Sequence, residues 1–143
     1  MNIFVIDASV IIKWIFPDRP KENHISQALN VLLCIKQGAI KVLQPPHWLA
    51  EAAAVITRFQ PKIAENAINL LHALEFPITD SIESYQIAYQ LSKSTNHHLF
   101  DTLYHAVALS HGATFLTADE TYYKKAHKKG FILRLSDFHI YDN

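Results

Sequence analysis

Five short apolar runs, kept apart by segments of helical character, constrain this chain more than any other feature. Ile3-Phe4-Val5-Ile6 is rich in β-branched residues and reads as a buried strand. Residues 40–43, 76–79, 113–117 and 131–135 read the same way. Between them lie predicted helices over 10–16, 26–37, 47–59, 61–75, 82–94, 99–111 and 119–129. Their ends carry stop and start residues: Pro17 after the first, Gly38 after the second, Pro61 opening the fourth, then Asn96, Gly112 and Gly130. Strands separated by helices pair in parallel and need cover on both faces. The expectation is therefore an α/β fold, a three-layer α/β/α sandwich around a parallel sheet of about five strands, in a single domain over 1–143.

Bulk properties agree with one core. The chain has 143 residues, half of them apolar, with no low-complexity stretch and no internal repeat. No apolar run approaches the roughly 18 residues that suggest a membrane span. The start meets Asp7 before any basic region and does not read as a signal peptide. Cys34, the single cysteine, rules out an intrachain disulfide and is expected in the core. A cytoplasmic protein is expected. The formal net charge is zero, so attraction for nucleic acid would have to come from a local patch.

In an open parallel sheet, ligands bind beyond the carboxyl ends of the strands. Asp7 directly follows the first predicted strand and Asp119 follows the fourth by two residues. Glu51 and Asp101 join them as residues of interest. Each acid alone has an ordinary explanation. Asp7 and Asp119 suit helix caps, Asp101 suits the first turn of a helix, and Glu51 suits a solvated face. The surroundings of Glu51 speak against the last of these. Trp48-Leu49-Ala50-Glu51-Ala52-Ala53-Ala54-Val55-Ile56 is apolar on nearly every face, which predicts a helix buried all round. A buried carboxylate there needs a partner, and no Lys or Arg lies three or four positions away. If the acids meet, like charges at 4 Å repel by about 4 kcal/mol at an effective dielectric of 20, so a cation is expected among them. Oxygen ligands suit a hard ion, Mg²⁺ or Mn²⁺.

The segments holding the acids resemble the motifs of PIN-domain proteins, specifically VapC-type toxins. Asp7-Ala8-Ser9-Val10-Ile11-Ile12-Lys13-Trp14-Ile15-Phe16-Pro17 is similar to the opening motif. Pro45-Pro46-His47-Trp48-Leu49-Ala50-Glu51 resembles the second, Phe100-Asp101-Thr102-Leu103-Tyr104-His105-Ala106-Val107-Ala108 the third and Leu116-Thr117-Ala118-Asp119-Glu120 the fourth. The departures are Phe100, where Tyr is frequent, and His105, where an apolar residue is common. The resemblance implies a PIN-like α/β/α fold and divalent-metal-dependent cleavage of RNA leaving 5′-phosphate and 3′-hydroxyl ends. It also implies a VapB-like antitoxin and a homodimer. By the matching positions, Asp7, Glu51, Asp101 and Asp119 are the expected metal-binding and catalytic acids, with Ser9 and Thr117 supporting them.

Other residues invite weaker expectations. Lys124, Lys125, Lys128 and Lys129 cluster after Asp119 and could meet phosphates, although cations at a helix C-terminus also suit the macrodipole. Lys13 is a further substrate-binding candidate. His97, Asp101 and His105 would share a helix face, and could form a transition-metal site, if the helix began early enough. His105 could instead meet substrate. Trp14, Ile15 and Phe16 read as core, or as a face for a partner. Two other readings stay open. One is a metal-dependent phosphatase on a similar sheet, against which Ser9 stands where haloacid-dehalogenase-type enzymes carry a second Asp. The other is an inactive binding module.

Overall fold

The computed structural model describes residues 2–16 and 23–139. The expected proline stop at Pro17 lies outside the described residues. β1 (Ile3–Ile6) leads into α1 (Ala8–Ile15), followed by α2 (Ile25–Lys36) and the two-residue β2 (Lys41–Val42). Four helices come next: α3 (Trp48–Phe59), α4 (Pro61–His72), α5 (Ile82–Thr95) and α6 (Leu99–His111). β3 (Thr114–Thr117), α7 (Glu120–Ala126) and β4 (Ile132–Arg134) complete the order, with short 3₁₀ turns at His127–Lys129 and Leu135–Asp137.

The sheet has four strands in the order β2-β1-β3-β4, and every pairing is parallel. Phe4, Val5, Ile6, Phe115 and Leu116 are all buried, so helices cover both faces, as the unbroken apolar runs require. β1 and β2 lead one way from the centre and β3 and β4 the other. The switch point therefore falls between β1 and β3, where the crevice of such a sheet opens.

One expected strand is missing. Residues 76–79 contribute a single parallel bridge, Gln44 to Ile78, in place of a fifth strand. The reason is chemical: Pro77 on one side and Pro45-Pro46 on the other lack the N–H groups that would extend the ladder. Two bonds remain, Gln44 N–H to the Pro77 carbonyl and Thr79 N–H to the Gln44 carbonyl. The Gln44 side chain replaces what the chain loses. Its carboxamide accepts from Ile6 N–H at 2.8 Å and donates to the Ile6 carbonyl at 2.9 Å, fully buried, so it pairs the last residue of β1 as a strand would.

Helix ends follow the expected residues. Asn96 and Gly112 close α5 and α6 in the left-handed region, at φ 56° and 65°. Pro61 opens α4. α7 stops at Ala126, earlier than expected, because the chain tightens into the 3₁₀ turn before Gly130. Cys34 and Phe16 are buried, and Trp14 packs against the core with its indole N–H donating to the Ala28 carbonyl at 2.8 Å. Among the described residues, no helix is long and apolar enough to cross a membrane.

Candidate functional site

Asp7 sits at the N-terminal end of α1, yet its side chain caps no helix N–H. Its Oδ2 instead accepts from Thr117 at 2.8 Å and from Ser9 at 2.9 Å. Both donors are tied back to the β3 end. Ser9 Oγ accepts from Ala118 N–H at 3.0 Å, and Thr117 Oγ1 accepts from Asp119 N–H at 3.0 Å. The main chain is joined as well, through Asp7 N–H to the Leu116 carbonyl. β1 and β3 thus end in one polar lattice, and Ser9 and Thr117 hold Asp7 between them.

Asp119 does cap its helix, accepting from Tyr122 N–H at 3.0 Å through Oδ1. Asp101 stands in the first turn of α6, where the helix N-terminus favours a negative charge. Glu51 stands in the first turn of α3. That helix is not buried all round: it buries Trp48, Ala52 and Ile56 and leaves its alanine-rich opposite side more open. Alanine is small enough to sit on either face, so apolar composition alone overstated the burial. Nor does Glu51 lack a partner. Tyr104 donates to its Oε1 at 2.7 Å, and His47 Nε2 lies 3.7 Å away. The sequence reading missed both residues. The available signal was spacing, since Tyr104 lies one turn beyond Asp101 and His47 one turn before Glu51.

All four acids line one open pocket of about 420 Å³, with Ala8, Ser9, Ile12, Ala54 and Val55 as its remaining wall. It lies at the switch point, where the β1 and β3 ends meet the first turns of α3 and α6. The electrostatics record the crowding. Burial pushes the Asp7 carboxyl from 3.8 up to about 7, the Thr117 and Ser9 hydrogen bonds oppose this, and Asp101 and Glu51 push it further up. Burial also raises Glu51, with Tyr104 opposing and Asp101 adding to the shift. Asp101 is raised by burial too; His97, His98 and His47 lower it, while Asp119 raises it.

Among the described residues, no group of three or more His, Cys, Asp or Glu side chains is arranged, as it stands, to hold a metal ion. The donor chemistry nevertheless fits a hard divalent cation. The pocket offers carboxylate oxygens, and burial, with a smaller part from their mutual repulsion, raises the very groups that a cation would relieve.

The remaining candidates separate. Lys124, Lys125 and Lys128 are exposed on α7 and the turn after it. Lys13 is buried on α1, 6 % exposed, and does not line the pocket. The transition-metal grouping does not form. α6 begins at Leu99, so His97 precedes it, and His105 is fully buried with both ring nitrogens engaged. His105 Nε2 must donate to the Gly130 carbonyl at 2.8 Å, because that oxygen can only accept. Burial keeps the ring neutral, so Nδ1 accepts from the Tyr122 hydroxyl at 2.8 Å. This also removes His105 from any contact with substrate, and explains how a polar side chain occupies a core position.

Comparison with known proteins agrees with this architecture. No curated protein matches the chain. Among solved structures, that described as FitAcB from Neisseria gonorrhoeae superposes with a TM-score of 0.61 at 18 % identity, covering 94 % of this chain and 99 % of the other. At that identity the likeness is one of fold. The family model for the PIN domain matches residues 4–128, which include the four acids. The chain belongs to the PIN-domain family.

Proposed function

We propose that this chain is a divalent-metal-dependent endoribonuclease, the toxin of a VapBC-type toxin–antitoxin pair, acting in the cytoplasm with Mg²⁺ or Mn²⁺. The observation that carries the reading is the convergence of Asp7, Glu51, Asp101 and Asp119 on one pocket at the switch point of the sheet. These residues would hold the cation. When bound, it would supply positive charge against the scissile phosphodiester and help ready a water for attack. The chain's own residues prepare the place. Ser9 and Thr117 fix the Asp7 carboxylate, and Asp119 is fixed through its cap on α7. RNA would approach across the exposed Lys124, Lys125 and Lys128, which follow Asp119 on the same helix and the turn beyond. A VapB-like antitoxin and a homodimer complete the proposal, supported by membership of the PIN family and the fold shared with FitAcB.

A second reading, an inactive PIN-fold binding module, is favoured by one observation: the acids are not arranged as a ready three-ligand set. Cleavage of a mixed RNA substrate in Mg²⁺, Mn²⁺ or EDTA, by the parent and by Asp7→Asn, separates the two. Metal-dependent cleavage lost in Asp7→Asn supports the nuclease. Cleavage that survives the substitution unchanged rules out this site, and absence of cleavage in every condition favours the binding module.

A further inference from the structure

α3 and α6 are cross-linked in both directions beside the pocket. From the residue that precedes α3, His47 Nε2 meets the Phe100 carbonyl at 2.7 Å, and since a carbonyl only accepts, Nε2 carries the proton and donates. From α6, the Tyr104 hydroxyl donates to Glu51 Oε1 at 2.7 Å. His47 and Glu51, four residues apart at the start of α3, give one donor and one acceptor, and α6 answers with the Tyr104 hydroxyl and the main-chain carbonyl of Phe100. The rings fill the space between: His47 lies 4.8 Å from the Tyr104 ring and 5.4 Å from that of Phe100. Tyr104 is wholly buried and stacks on Phe115 of β3, which roots the clasp in the sheet.

We infer that His47 and Tyr104 are positioning residues, a reciprocal clasp that fixes Glu51 on α3 against Asp101 on α6. The two acids belong to separate helices that meet only through tertiary packing, and burial drives up the pKa of each. Left alone, their repulsion would favour spreading them. The clasp opposes that, because Asp101 directly follows Phe100, whose carbonyl His47 grips, while Glu51 is gripped by Tyr104. His47 tolerates a buried Nδ1 with no hydrogen-bond partner among the described residues, consistent with a ring held for its Nε2 bond and its stacking.

The inference rests on the proposed cation site, and its test keeps the two apart. Mn²⁺ binding to the RNA-free protein is measured by calorimetry for the parent, His47→Ala, Tyr104→Phe and Glu51→Gln, and for Tyr104→Phe combined with Glu51→Gln. Groups that orient metal ligands alter affinity by about 10–100-fold when removed. The expected result is a loss of about tenfold in each clasp variant. Tyr104→Phe should add little once Glu51 is Gln, because the hydroxyl acts through that carboxylate. Circular dichroism checks that each variant is folded; Tyr104→Phe deletes a single oxygen and carries the test if His47→Ala fails to fold. Parent affinity in Tyr104→Phe, or an equal loss in the Glu51→Gln background, overturns the clasp alone. Absence of Mn²⁺ binding in the parent overturns the cation site and the clasp with it.

Discussion

Thr117 Oγ1 donates to Asp7 Oδ2 at 2.8 Å, joining residues 110 positions apart at the ends of neighbouring strands. The same hydroxyl accepts from Asp119 N–H, so one buried oxygen orders both acids at the β1 and β3 ends. Thr117→Val keeps the side-chain shape and removes that oxygen. A hydrogen bond to a charged group contributes about 1.5–3 kcal/mol, and the Asp119 N–H loses its partner as well. Denaturant unfolding at about pH 8, above the value of about 7 to which the Asp7 carboxyl is pushed, should therefore show a loss of about 2 kcal/mol. RNA cleavage should fall in parallel, because Asp7 loses one of the two donors that hold it. An unchanged midpoint would mean that Ser9 alone suffices to order Asp7.

Asp7 itself makes stability depend on pH, with a definite sign. Its carboxyl titrates near 3.8 when unstrained and is pushed up to about 7 in the folded protein, chiefly by burial. Between those values the folded state holds the proton more tightly than the unfolded chain does. The stability contributed by this group is fully present below 3.8, and is lost as pH rises through about 7. Asp7→Asn removes the effect while its amide oxygen can still accept from Ser9 and Thr117. In EDTA the variant should be more stable than the parent by an amount on the order of a few kcal/mol at about pH 8, shrinking toward zero near pH 4. Chemical denaturation across that range reads the difference directly. A gap that stays constant with pH would mean the Asp7 charge is not strained in the fold.

The parallel sheet was legible because strand and helix periods alternate along the chain, and Asp7 and Asp119 were legible because they follow apolar runs that end at the switch point. What local pattern could not supply was the partner across the fold. Glu51 gave no sign in its own segment that Tyr104, 53 positions away, would donate to it, and looking only for Lys or Arg within one helical turn passed over His47. Gln44, just past the strand expected at 40–43, drew no attention, whereas its side chain completes the pairing of β1. The strand expected at 76–79 had the right apolar character and failed on a missing donor at Pro77. Lys13 was a further substrate-binding candidate on charge alone. Its neighbours Val10, Ile11 and Ile12 are buried, and it is drawn into the same packed face of α1.

Lys124, Lys125 and Lys128 have two explanations that one titration separates. Exposed cations near the end of α7 favour the helix dipole, a contribution of about 0.3–1 kcal/mol each, and this would concern stability alone. As phosphate contacts they would release counterions from RNA, and each contact on a single strand contributes about 0.7 to the slope of log affinity against log salt. The chain has no net charge, so a local patch must provide most of any such slope. Binding is best measured in an Asp7→Asn background, where the proposed cleavage is suppressed. Changing the three lysines together to alanine should then lower the slope by about 2 and weaken binding most at low salt. A slope equal to that of the lysine-bearing protein, with a small loss of thermal stability, would assign the lysines to the helix end and send the search for the RNA path to another surface.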